Sequence, residues 1–344
     1  MSLRLPVAVV QPLPGIGDMV WHVPHIRAIA TAAGAPVTLL AKPRCLADQL
    51  LANEPAVAEI LWLERNPGGR RGAHDGVAGL LRLARLMRSR RFGTVILLHH
   101  SASLAAAACL ARVPQRHGYG WGGQRAFLNA GPFLPRDVVR LHQHTRATRY
   151  LAAAGVPLAS AEPALTVLDT QRAEARRRLG HAVDPFVAIG IGSSEPLRQW
   201  GVARFADLAT ELLDAGWPLV VLLGGPDDAA MADAIRARLA GRGQRVGLAL
   251  GWHLAAVTGL LAEAAFYVGN NTGVMNMAAA VGIRTYALFG STAPFDHASQ
   301  IVAVTAPDIG THDGMARLTV QSVLAAISAD RGWLSPGRRA DAMA

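Results

Sequence analysis

Short runs of β-branched and aliphatic residues alternate with segments of helix length along almost the whole chain, and the pattern starts twice. In the first half the strand-like runs are Val7 to Gln11, Pro36 to Ala41, Ala58 to Leu63 and Thr94 to Leu98. Helix-length segments from Met19 to Ala33, Val77 to Arg91 and Leu104 to Arg112 fall between or after them. The second half repeats the rhythm through the runs Phe186 to Ile191, Leu219 to Leu223, Val246 to Ala249, Phe266 to Val268 and Thr285 to Phe289. Its helical segments are Ala203 to Ala215, Asp228 to Leu239, Leu254 to Glu263, Gly273 to Val281 and Thr319 to Ser328. Strands that each wait for a helix before the next strand are joined by crossovers. The expected class is therefore α/β, with an open parallel sheet in each half and helices on both faces.

The break between the halves falls near Ala159 to Thr166, after a helix from His142 to Ala154 that stops at Gly155 and Pro157. Two domains follow, 1–160 and 161–344, a division also expected from a chain of 344 residues. Hydrophobic residues make up 51% and charged ones 17%, enough apolar surface to cover sheets buried on both faces. Gly118 to Pro135 has no period and reads as a long loop, and Leu334 to Ala344 as a frayed tail. No apolar segment reaches the roughly 18 uninterrupted residues of a spanning helix. Cys45 and Cys109 are in no metal-ligand spacing, so a reducing cytoplasm is the expected home. The net charge of +10 asks for an anionic partner or surface. No nucleic-acid motif accompanies it, and a phosphate-bearing sugar, an anionic lipid surface or a merely solubilising arginine-rich surface fits the charge.

Three motifs carry chemistry. Pro14-Gly15-Ile16-Gly17-Asp18 joins the first strand to the first helix, a glycine turn that lets a ligand approach and sets Asp18 at the helix start. The third glycine of a dinucleotide fingerprint is absent, which disfavours a nicotinamide cofactor. Asp18 is either a catalytic carboxylate or a helix N-cap. Ile189-Gly190-Ile191-Gly192-Ser193-Ser194 followed by Arg198 ends a strand in small residues, hydroxyls and a cation, suited to pyrophosphate, or to a turn capped by its own serines. In Asn270-Asn271-Thr272-Gly273 a strand ends at polar residues, and Gly273 opens a helix whose first amides can bind phosphate.

Taken together, and with Pro24, Trp200, Ala278 to Ala280 and Phe289-Gly290-Ser291-Thr292, these motifs resemble glycosyltransferase family 9, the bacterial heptosyltransferases that extend the lipopolysaccharide core. The resemblance runs through most of the chain. It implies the GT-B architecture, an acceptor-binding N-terminal domain and a nucleotide-sugar-binding C-terminal one. It also implies an inverting transfer with no metal or other cofactor, in which Asp18 deprotonates an acceptor hydroxyl. Ser193, Ser194, Arg198, Asn271, Thr272, Gly273 and Asn276 would hold a nucleoside-diphosphate sugar such as ADP-heptose. Acceptor-side candidates are Gly17, His22, His99, His100 and Trp121. The expected acceptor is an anionic glycan or glycolipid, met at the inner face of the cytoplasmic membrane.

The chain departs from the family pattern at named positions. Asn271 and Asn276 stand where an aspartate and a histidine are usual, and Arg198 where a lysine is usual. After Thr94 to Leu98 the family's acidic residue, Gln-Gly and lysine are replaced by a stretch containing His99, His100 and Ser103, which changes the expected acceptor. His22 and His25 lie three apart but have no third metal ligand, and polar lining or helix surface is expected of them. Two other functions fit the same motifs: a nucleotide-sugar epimerase or hydrolase, and a non-catalytic nucleotide-sugar-binding protein.

Overall fold

The computed structural model describes residues 2–180, 185–239, 241–295, 297–307, 309–311 and 313–330. The chain divides into two compact units, Met1–Pro163 and Ala164–Ala344. The tail from Leu334 to Ala344, expected to fray, lies outside the described residues.

In the first unit β1 (Val7–Gln11), α1 (Ile16–Ala33), β2 (Val37–Ala41), the short α2 (Ala47–Leu50) and β3 (Val57–Trp62) come first. They are followed by α3 (Gly76–Ser89), β4 (Thr94–Leu97), α4 (Ala102–Leu110), β5 (Gln115–Gly118) and α5 (Gln143–Ala153). The sheet order is β3-β2-β1-β4-β5 and every pairing is parallel. β1 is buried along its whole length because helices cover both of its faces, which is why Val7 to Val10 are apolar without alternation.

The second unit opens with α6 (Asp169–Leu179), β6 (Phe186–Gly190), α7 (Val202–Asp214), β7 (Leu219–Gly224), α8 (Ala229–Arg238) and β8 (Val246–Leu250). It continues with α9 (Leu254–Glu263), β9 (Phe266–Asn270), α10 (Gly273–Ala280), β10 (Thr285–Phe289), β11 (Ile301–Thr305), α11 (Gly314–Arg317) and α12 (Val320–Ala329). Its sheet runs β11-β10-β9-β6-β7-β8, again wholly parallel. The fold is thus the expected α/β class of two parallel sheets. Trp200 and Trp217 fill its core, and Trp200 donates its indole N–H to the Leu318 carbonyl at 2.8 Å, so the large ring is buried with its polar atom satisfied.

Besides the one-turn helices α2 and α11, three elements are absent from the sequence reading. α6 carries Arg172, Arg176, Arg177 and Arg178 and buries only Ala175, so it has no apolar stripe to read. It is held instead by packing on α9, where a Cβ at Gly259 would lie 2.1 Å from the Gln171 carbonyl oxygen, and by Arg172 and Arg176 on Glu263. β5 and β11 are edge strands, and an edge needs no continuous apolar run. Among the described residues no helix is long and apolar enough to cross a membrane.

At the end of β10 the chain crosses itself closely. The Gly290 carbonyl accepts the Gly310 amide at 2.9 Å, and a Cβ on Gly290 would meet the Met315 nitrogen at 2.3 Å. Backbone cannot yield as a flexible side chain can. Gly290→Ala is therefore expected to destabilise the second unit by about 1–3 kcal/mol, read as a lowered denaturant midpoint; an unchanged midpoint would show that α11 moves aside freely.

Candidate functional site

In a parallel sheet every strand delivers its following loop to the same edge, and the candidate residues of the first unit lie there. β1 ends at Gln11, and Pro12 to Gly15 lead into α1. Asp18 sits at the third position of the helix, not at its N-cap, which is Gly15. Its Oδ2 accepts the Gly15 amide at 2.9 Å, the acidic half of a capping box. A Cβ at position 15 would lie 2.7 Å from that same oxygen. The other oxygen, Oδ1, accepts the Gln143 side-chain amide at 2.5 Å, from the start of α5. A half-buried carboxylate is thus fixed in one rotamer by one local and one distant donor.

Beneath it lie histidines. His22 and His25 are fully buried, not on the helix surface. The Asp18 carbonyl lies 2.6 Å from His22 Nδ1 and can only accept, so Nδ1 carries the proton. Nε2 of His22 is left buried with no partner. Burial, the largest cause, lowers the His22 pKa from 6.5 to about 4, keeping the ring neutral. His25 Nε2 lies 2.9 Å from Thr148 Oγ1, whose hydroxyl donates in turn to the His144 carbonyl. Among the described residues no group of three or more His, Cys, Asp or Glu side chains is placed to hold a metal ion. Gly17, on the first turn of α1, is buried.

His99 and His100 follow β4 and stack on one another with ring centroids 4.4 Å apart. Burial first, then His100, lowers the His99 pKa to about 4, and the exposed His100 is lowered less, again by burial and by Arg146. Trp121 packs near His100 and Tyr119, with its indole donating to the Leu134 carbonyl at 2.8 Å. The Arg146 guanidinium lies 5.9 Å from the Trp121 ring. A cavity of about 250 Å³ opens on this edge. Pro12 to Pro14, Lys42, Arg65, Asp75, His99 and Ser101 are among its walls.

In the second unit Asn270 ties two strand ends together. Its amide donates to the Ile191 and Gly192 carbonyls at 3.0 and 3.2 Å, and its oxygen accepts the Trp200 amide. Asn271 Nδ2 donates to Thr292 Oγ1 at 3.1 Å, linking β9 to the turn after β10, while Asn276 donates back to the Thr272 carbonyl at 3.0 Å. Thr272 is the N-cap of α10, but its hydroxyl makes no capping hydrogen bond to the first turn, which starts at Gly273. Ser193 makes a local turn, its hydroxyl donating to the Glu195 carbonyl at 2.8 Å, whereas Ser194 is exposed. Arg198 pairs with Glu195 at 3.0 Å, a carboxylate that an incoming phosphate would have to displace. The floor of this edge is Tyr267, whose buried phenol lies against Gly190 and Gly269 and has its pKa raised by burial.

The sequence profile of glycosyltransferase family 9 (heptosyltransferase) matches residues 80–305. The chain belongs to glycosyltransferase family 9. It is a glycosyltransferase of GT-B fold. Among solved structures it is similar to the ADP-heptose lipopolysaccharide heptosyltransferase II of E. coli, at 22% identity and a TM-score of 0.77, covering 95% of this chain and 98% of that one. It is also similar to a family 9 glycosyltransferase from Veillonella parvula, at 19% identity and a TM-score of 0.77, covering 97% and 98%. A third is the E. coli heptosyltransferase WaaC with ADP-2-deoxy-2-fluoro heptose, at 18% identity and a TM-score of 0.71, covering 94% and 99%. No curated protein matches the chain by sequence.

Residues that sequence reasoning passed over in this family 9 member are Gln143, Arg146, Lys42 and Arg65. Only the polar opening of α5, Gln143-His144-Thr145-Arg146, hinted that its first turn serves something other than the core. The buried histidines give a pH dependence of definite sign. Between about pH 4 and 6.5 the unfolded chain binds a proton at His22 that the folded chain refuses. Stability therefore falls as pH drops through that window. The melting temperature is expected to decline on acidification across it, and His22→Asn, which does not titrate, is expected to make the decline shallower; an identical slope would remove His22 as a cause.

Proposed function

We propose that this family 9 enzyme transfers a sugar, heptose being the leading candidate, from a nucleoside-diphosphate donor to an anionic acceptor of lipopolysaccharide or another envelope glycan, with inversion and without a metal. The first unit binds the acceptor and the second the donor. Asp18 acts as general base on the acceptor hydroxyl. The observation that carries this role is the double anchorage of its carboxylate by Gly15 and Gln143, which supplies the orientation a base needs without long-range reorganisation. Gly17, His99, His100 and Trp121 line the acceptor side, and His22 supports the turn from below. Departure of the diphosphate is assisted by the amides of α10 from Gly273, with Thr272, Ser193, Ser194 and Arg198. Asn271 and Asn276 hold the donor edge in shape and offer their amide oxygens to sugar hydroxyls.

The charge distribution supports an acceptor side that works at a negatively charged surface. The first unit holds 19 of the 34 basic residues but only 8 of the 24 acidic ones, a net +11 against −1 for the second. On α3, which has no acidic residue, Val77 and Leu81 are exposed beside Arg82 and Arg85, an arrangement suited to an anionic lipid interface. Co-sedimentation with phosphatidylglycerol vesicles, lost for Val77→Asp and at high salt, is expected; equal binding to neutral phosphatidylcholine would count against it.

The catalytic role is tested on a panel of nucleotide sugars that includes ADP-heptose. Asp18→Asn is expected to keep donor binding and lower kcat by about 100-fold or more. Gln143→Ala is expected to lower kcat with donor binding kept, because the carboxylate loses one of the two donors that orient it. Unimpaired turnover by Asp18→Asn would reduce Asp18 to a helix-capping residue, and donor binding without turnover in the wild type would favour a binding protein.

A further inference from the structure

Gly190 on β6 and Gly269 on β9 stand side by side in the sheet of the second unit, and together they leave one patch of its face without side chains. Tyr267 fills that patch. Its ring runs along β9 toward the strand's end, so that a Cβ at Gly269 would lie 2.5 Å from the phenol oxygen and one at Gly190 would overlap it. Neither glycine has a positive φ, so what calls for glycine at both positions is the close approach of the ring.

Filling the patch needs a ring but no hydroxyl, and phenylalanine would pack there as well. The hydroxyl is a cost in the free chain, because it is fully buried without an aligned hydrogen-bond partner. Burial raises its pKa, so it keeps its proton and remains a donor. The polar side chain beside it is that of Thr272, the N-cap of α10, whose own hydroxyl makes no capping hydrogen bond. Thr272 is half buried and is the member of the pair that a ligand can reach.

We propose that Tyr267 is a positioning residue of the donor site: its phenol O–H donates to the Thr272 hydroxyl oxygen, which turns the threonine proton outward onto a diphosphate oxygen of the nucleotide. The proposal rests on assigning the donor diphosphate to the first turn of α10 and deepens that assignment. A threonine hydroxyl has one proton and can point it at the phenol oxygen as readily as at a ligand. Once the phenol donates, that first direction is closed, and a hydroxyl that is itself accepting is the stronger donor. The help is greatest for a diphosphate that carries its full charge, as the departing group comes to do.

The test compares Tyr267→Phe, Thr272→Val and the double variant with the wild type, each as the full chain. ADP, UDP and GDP are offered in turn, and at least one of them is expected to raise the wild-type melting temperature. Without nucleotide, Tyr267→Phe is expected to melt no lower than the wild type, since it removes an unpaired buried group. Calorimetry with the diphosphate that binds is expected to show about three- to tenfold weaker binding by Tyr267→Phe. Thr272→Val is expected to lose at least as much, and the double variant no more than Thr272→Val alone, because the phenol acts through the threonine. Undiminished affinity in Tyr267→Phe, a melting temperature lowered by that substitution without nucleotide, or single losses that multiply in the double variant would overturn the proposal and leave the donor assignment standing. A wild-type chain that none of the three diphosphates stabilises would remove the donor assignment, and the proposal with it.

Discussion

All strands of both sheets run parallel, and a parallel sheet must discharge every loop that follows a strand on one edge. In the first unit β1 is followed by Pro12 and the turn to Asp18, β2 by Lys42, β3 by Arg65 within three residues, and β4 by His99 within two. Four segments remote in sequence thus arrive at one place without any of them needing to fold toward the others. In the second unit β6, β9 and β10 deliver Ser193, Asn271 and Thr292 to their own edge by the same rule. Chemistry here is a by-product of strand direction, and the side chains needed only to be polar and of suitable length where each strand stops.

The two edges are secured differently. In the second unit amides do the work: Asn270 bridges the loops after β6 and β9, and Asn271 the turns after β9 and β10. Neutral amides can donate and accept at once, so they fasten neighbouring strand ends without placing fixed charge where a diphosphate is proposed to sit. The first unit uses charge and burial. His22 and His99 are kept neutral by burial, and the unit's cations exceed its carboxylates.

Much of this was legible in the chain. The apolar runs that became β1, β4, β6, β7, β9 and β10 are buried on both faces, so their composition alone marked them. The turn at Gly15 to Asp18 and the start of α10 at Gly273 were visible because glycine has few other reasons to stand there. What escaped was non-local or lacked a pattern. Gln143 meets Asp18 across 125 residues, and nothing near either residue encodes the other. α6 holds its place through arginine pairs with Glu263 rather than through an apolar stripe. Gln115-Arg116-His117-Gly118 forms β5 because β4 offers it a free edge. The cavity around Lys42 exists only once four strands are side by side.

The contact between Gly15 and Asp18 has one more implication, for how this turn can vary between related chains. Residue 15 has no side chain and takes no part in any reaction, yet the space left by its missing Cβ is where the Asp18 carboxylate rests. A Cβ at the first position would press on the acid at the second and shift its aim, so a silent backbone position helps to set the direction of the reactive one.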